Sequence, residues 1–86
     1  MGVRYRVQQT FPGHVAGPMV LGVLEDGVIR GGETLVLEDG GAPVRVTRFD
    51  VHTRQTDQGL EVGLQLHPED APRVTAGSTL VSPPEA

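Results

Sequence analysis

Apolar and polar residues alternate with a period of two in several segments of this chain, and glycine or proline clusters separate those segments. In VRYRVQQ, Val3, Tyr5 and Val7 point one way and Arg4, Arg6 and Gln8 the other, the pattern of a half-buried strand. FPGHVAGP follows as a loop broken by Pro12, Gly13, Gly17 and Pro18. MVLGVLE is a nearly continuous apolar strand, read with Met19, Leu21 and Val23 on the core face and Gly22 opposite. TLVLE places Leu35 and Leu37 inward, and DGGAP turns the chain back as a hairpin. PVRVTRFDVHTR begins with Val44 and Val46 inward, then slips by one so that Phe49 and Val51 share a face. Such a slip is the mark of a β-bulge. LEVGLQL alternates Leu60, Val62, Leu64 and Leu66 with Glu61, Gly63 and Gln65, HPEDAPR is a loop whose carboxylates cap a turn, and STLVSPP is a short last strand. No segment has a helical period. The pattern fits a barrel or a small sandwich, and closure removes the exposed edges of a valine-rich sheet. The expected fold is all-β, a small closed six-stranded antiparallel β-barrel forming one domain over residues 1–86.

Composition strengthens the sheet reading. The core must be aliphatic, since 86 residues include thirteen valines, two Phe, one Tyr and no Trp, and β-branched side chains suit a pleated surface. A chain of this length is near the lower limit for a self-sufficient core. Without cysteine there are no disulfides, thiolate metal sites or thiol chemistry. The opening residues carry no apolar signal segment, so a cytoplasmic location and no membrane partner are expected. Seven arginines, no lysine and eleven carboxylates give a net charge of −4. That balance argues against indiscriminate nucleic-acid binding, which needs a basic excess; a local arginine cluster reading one RNA end stays compatible with it.

Between two strands lies EDGVIRGGETLVL, Glu25 to Leu37. Asp26-Gly27 ends one strand, Val28 and Ile29 dip back to plug one end of the core, and Gly31-Gly32 permits a second turn before Glu33 starts the next strand. Gly27, Gly31 and Gly32 are therefore read as structural turn residues, at positive φ or tight crossings, rather than as a phosphate loop. The pattern G-V-I-R-G-G-E-T-L, Gly27 to Leu35, resembles the second domain of translation GTPases of the elongation factor Tu class, which carries G-x-I/L-K/R-x-G-D/E-x-V/L at this turn. Gly17-Pro-Met-Val-Leu-Gly22-Val23 is similar to the preceding family strand G-T-V-V-T-G-R-V. Gly59-Leu-Glu-Val-Gly63-Leu64 is similar to A-G-D-N-V-G-V, and Gly77-Ser-Thr-Leu-Val81 to the closing G-Q-V-L-A. These motifs stand in family order across about residues 3–83, leaving 84–86 as a tail. The GTPase loop G-x-x-x-x-G-K-[ST] does not occur, and without lysine it has no basis, so neither nucleotide nor GTP hydrolysis is expected. Met1 and the C-terminal SPPEA favour a free-standing small protein over an excised domain.

The resemblance implies a barrel that binds the aminoacylated 3′ end of tRNA. It places Asp50, His52 and Arg54 on the family's RNA-contacting strand V-E-M-[HF]-R-K, with Glu61 and Gly63 near the pocket. Thr53 stands where the family has arginine, Glu61 where it has asparagine, and both threonines of TVVT are replaced. Read from the residues alone, Asp50, His52 and Arg54 form either a small polar binding patch or the solvated face of an edge strand. Arg4, Arg6, Arg45 and Arg48 either gather on the surface or serve as ordinary solubilising charge. His14, Asp50, His52 and His67 match no metal-ligand spacing, and Ser78, Thr79 and Ser82 have no histidine near them in sequence. The expectation is a non-catalytic module without cofactor, binding an RNA end or a translation-related partner. The alternative is a protein-interaction or structural module docking on a separate enzyme or partner domain, favoured if Val20 and Leu24 are exposed together.

Overall fold

The computed structural model describes residues 2–13, 17–49 and 54–83. Its seven strands are β1 (Arg4–Phe11), β2 (Met19–Asp26), β3 (Thr34–Leu37), β4 (Pro43–Phe49), β5 (Arg54–Thr56), β6 (Gly59–Leu66) and β7 (Thr79–Val81), with a single 3-10 turn at Ala71–Arg73. All pairings are antiparallel, in the order β2-β1-β7-β3-β4-β6, and pairing of β2 with β6 closes a six-stranded barrel. β5 lies outside this ring. It lengthens β6 through Arg54↔Glu61, Gln55↔Leu60 and Thr56↔Gly59, while β4 takes the other end of the same edge at Leu64–Leu66.

The core is aliphatic, as the composition requires. Val3, Tyr5, Val7, Leu35, Val44, Val46, Val62, Leu64, Leu66 and Leu80 are buried in one cluster, with Leu24, Leu37 and Leu60 packed against it. The anticipated slip in β4 is a bulge at Thr47: Val46 pairs with Leu66, but Arg48 pairs with Gln65. Bulges at Glu25 and Gln8 add bends to the β1–β2 hairpin.

The face assigned to β2 is reversed at Met19 and Leu21, whereas Val23 is buried as expected. Val20 is buried in the core and Leu24 packs on it, while Met19 and Leu21 are half-exposed on the outside. A continuous apolar run has no alternation to set its phase. Here Tyr5 sets it. A Cβ on Gly22 would lie 2.9 Å from the tyrosine ring and 2.2 Å from the Arg6 carbonyl oxygen, so only glycine lets the ring enter the core at this point. The Tyr5 hydroxyl then donates to the Val62 carbonyl at 2.5 Å. Burial, reinforced by the charge of Glu61, raises its pKa above the ordinary tyrosine value.

The double turn after β2 has the expected outline with two corrections, at Gly31 and at Val28. Gly27 and Gly32 adopt φ of 80° and 84°, and a Cβ at Gly27 would strike the Gly2 carbonyl. Gly31 does not share that conformation. Ile29 plugs the core, but Val28 is 68% exposed, because successive side chains of an extended segment point opposite ways. The Arg30 N–H donates to the Glu33 carboxylate at 3.0 Å, locking the turn, and β3 begins at Thr34.

Candidate functional site

Of the site residues expected from the sequence, Asp50 and His52 lie outside the described residues. Arg54, Glu61 and Gly63 are placed on β5 and β6. Arg54 and Glu61 are register partners, joined by an ion pair at 3.3 Å. Gly63, two residues along β6, is buried opposite Leu21. Arg54 therefore spends its charge on Glu61, and the pair is a cross-strand contact on the outer face.

The other arginines do not form one cluster: Arg4 and Arg6 converge on Glu25, and Arg45 and Arg48 lie apart from them. Arg4 bonds both Glu25 and Glu38, and Arg6 reaches Glu25 at 3.5 Å and the Gln58 side chain at 2.5 Å. Arg45 sits elsewhere, on Asp70 at 2.8 Å, and Arg48 is exposed on β4. Each of the barrel's paired arginines holds a carboxylate. No group of three metal-ligating side chains is found among the described residues.

Among the described residues Asp70 is the buried charged side chain. Its expected role in capping a turn is replaced by a different one, for its side chain makes no cap bond to the 3-10 turn. One carboxylate oxygen accepts from the Arg45 backbone N–H at 2.9 Å and from Arg45 Nε at 2.8 Å; the other accepts from Arg73 at 2.9 Å. Arg73 also donates to the Pro43 carbonyl at 3.0 Å. The Arg45 guanidinium above all holds the Asp70 pKa well below the usual carboxylate range, against the opposing effect of burial. This network clamps the segment after β6 onto β4.

Held in place by that clamp, the segment forms one wall of an apolar cleft of about 410 Å³. Pro68, Ala71, Pro72 and Val74 face Thr10 of β1, Pro12 and Pro18 of the hairpin loop, and Met19 and Val20 of β2. Proline has no N–H, so the four prolines bring no backbone donor to these mostly apolar walls. Phe11, next along β1 from Thr10, is 44% exposed. In the sequence Pro12 and Pro18 read as chain breakers and Pro68 and Pro72 as part of a loop; their pairing across space is set by topology. A polar hollow of about 530 Å³ lies between the β3–β4 turn and the segment before β7, lined by Glu38, Asp39, Arg73, Thr75 and Ser78. The Thr75 and Ser78 hydroxyls there are bonded to each other at 3.2 Å.

Val20 and Leu24, whose joint exposure was to favour a protein partner, both face the core. Among the described residues the exposed large apolar side chains are Phe11, Val28 and Phe49, and of these Phe11 lies next to the apolar cleft. No helix among the described residues is long and apolar enough to cross a membrane. No family model matches this chain, and no curated protein matches it.

Proposed function

We propose that this barrel is a non-catalytic binding module whose partner is a protein, engaged through the proline-walled cleft beside Phe11. The observation that carries this reading is the cleft itself, about 410 Å³ of space bounded by Pro12, Pro18, Pro68, Pro72, Met19 and Val74. A site of that volume accepts an apolar group. Its donor-poor walls penalise an inserted polar group, which would give up water without gaining a partner.

The motifs shared with the elongation factor barrel support a second reading, in which the partner is an RNA end. Phosphate binding needs cations free to exchange counterions. Five of the seven arginines, Arg4, Arg6, Arg45, Arg54 and Arg73, are committed to side-chain partners with a carboxylate in every case, which leaves the exposed Arg30 and Arg48 on a chain of net charge −4. Charge therefore favours the protein reading.

Capture from an RNase-treated lysate separates the two. A protein retained by the wild-type chain and released by Met19→Glu, with an unchanged circular dichroism spectrum, is the expected result. Saturable binding of aminoacylated tRNA that weakens steeply with salt and on Arg54→Ala would replace this reading with the RNA one.

A further inference from the structure

We propose that the β1 edge from Gln8 to Phe11 pairs with the same edge of a second copy of this chain, as an antiparallel seam about a two-fold axis. The proposal rests on the reading that this end of the barrel is a docking surface, and it names one partner for it.

The first half of β1 is paired on both flanks. Arg4, Tyr5 and Arg6 face Val81, Leu80 and Thr79, and the last bonds on that flank join Val7 N–H to the Ser78 carbonyl and Gly77 N–H to the Val7 carbonyl, both at 2.8 Å. Beyond Val7 the strand pairs with β2 alone among the described residues. Gln8, Gln9, Thr10 and Phe11 are all exposed. Natural sheets protect such edges with charges, proline or a covering element. This one has a bulge at Gln8, which also protects an edge, and stops at Pro12, but it carries no charge. From Val7 to Leu24 the sequence contains no Asp, Glu, Arg or Lys, although these make up 21% of the chain.

Two arguments point to a second copy. An antiparallel edge is complementary to itself, because a two-fold axis brings each N–H opposite a carbonyl. A charge near that axis would meet its own copy. With −4 on each chain, an edge strand that carries no charge of its own lets two copies approach without like charges meeting at the axis, the exposed Glu69 and Arg73 standing on the far wall of the cleft. Register fits as well. Gln9 and Phe11 pair with Leu21 and Met19 on the outer face. A seam centred on Thr10 would set Phe11 beside Gln9 of the partner subunit and Thr10 opposite Thr10 of the partner subunit, a favourable cross-strand pair. The seam is short, so the association belongs with weak, small interfaces.

Sedimentation equilibrium of the whole chain from micromolar to millimolar concentration tests this. The average mass is expected to rise toward twice the monomer, and Gln9→Lys and Thr10→Lys are each expected to weaken association at least about tenfold with the circular dichroism spectrum retained. A constant monomer mass through millimolar concentration would overturn the proposal, as would a dimer unaffected by both substitutions. Capture from RNase-treated lysate judges the docking reading independently, since a monomer can still pass it.

Discussion

The two halves of β1 belong to one strand and obey different rules. From Arg4 to Val7, Tyr5 and Val7 are buried, Arg4 and Arg6 are ion-paired, and both flanks are hydrogen-bonded. From Gln8 to Phe11 nothing is buried, nothing is charged, and among the described residues only the β2 flank is paired. The first half is held by everything around it and serves the fold. The second is held on one side, and its uncharged edge beside an apolar cleft is what a docking surface requires. The bulge at Gln8 marks the boundary.

The strongest way to break this contrast is to overfill the first half. Gly22→Val would drive a side chain into the Arg6 carbonyl and the Tyr5 ring. A loss of more than about 3 kcal/mol is expected, enough to show as an unfolded or poorly folded chain in denaturant titration. Tyr5→Ala should cost about 3–5 kcal/mol, whereas Phe11→Ala, six residues along the same strand, should stay within about 0.5 kcal/mol for the monomer. Similar costs at the two positions would remove the distinction.

Asp70→Ala comes next, at about 1–3 kcal/mol, because it strips the Arg45 N–H and two guanidinium groups of their shared acceptor. The accompanying pH dependence has a definite sign. Folding lowers the Asp70 pKa, so the folded state binds its proton less readily than the unfolded chain. The stabilisation is complete above the ordinary carboxylate range and is lost as pH falls below about 4. Wild type should therefore lose stability more steeply than Asp70→Ala in acid melts. Tyr5→Phe is expected to have the smallest effect in the core, about 1 kcal/mol, through loss of the hydroxyl bond to Val62. Because folding raises the Tyr5 pKa, that residue's contribution is present at neutral pH and is lost as pH rises beyond about 10.

Where the alternation was strict, the sequence was sufficient to place the chain. Val62, Leu64 and Leu66, Val44 and Val46, and the slip within β4 stand where their pattern puts them, although Gly63 and Gln65 of the same β6 run are buried as well. It misled in Met19–Leu24, because an unbroken apolar run has no phase of its own and Tyr5, distant in sequence, decides it through Gly22. Val28 shows the same lesson in small: hydrophobicity alone did not bury it. The cleft was illegible for another reason. Its prolines come from the hairpin loop and from the segment after β6, and only ring closure brings them face to face. Asp70 carried a faint signal, an acidic residue between prolines with Arg73 three positions on, but Arg45 lies far off in sequence.

Amide hydrogen exchange in the dilute monomer tests the contrast within β1 most directly. The amides of Tyr5 and Val7 should exchange only through global unfolding, while those among Gln8 to Phe11 that point away from β2 should exchange quickly through local exposure. Uniform protection along the whole of β1 in the dilute monomer would contradict the account.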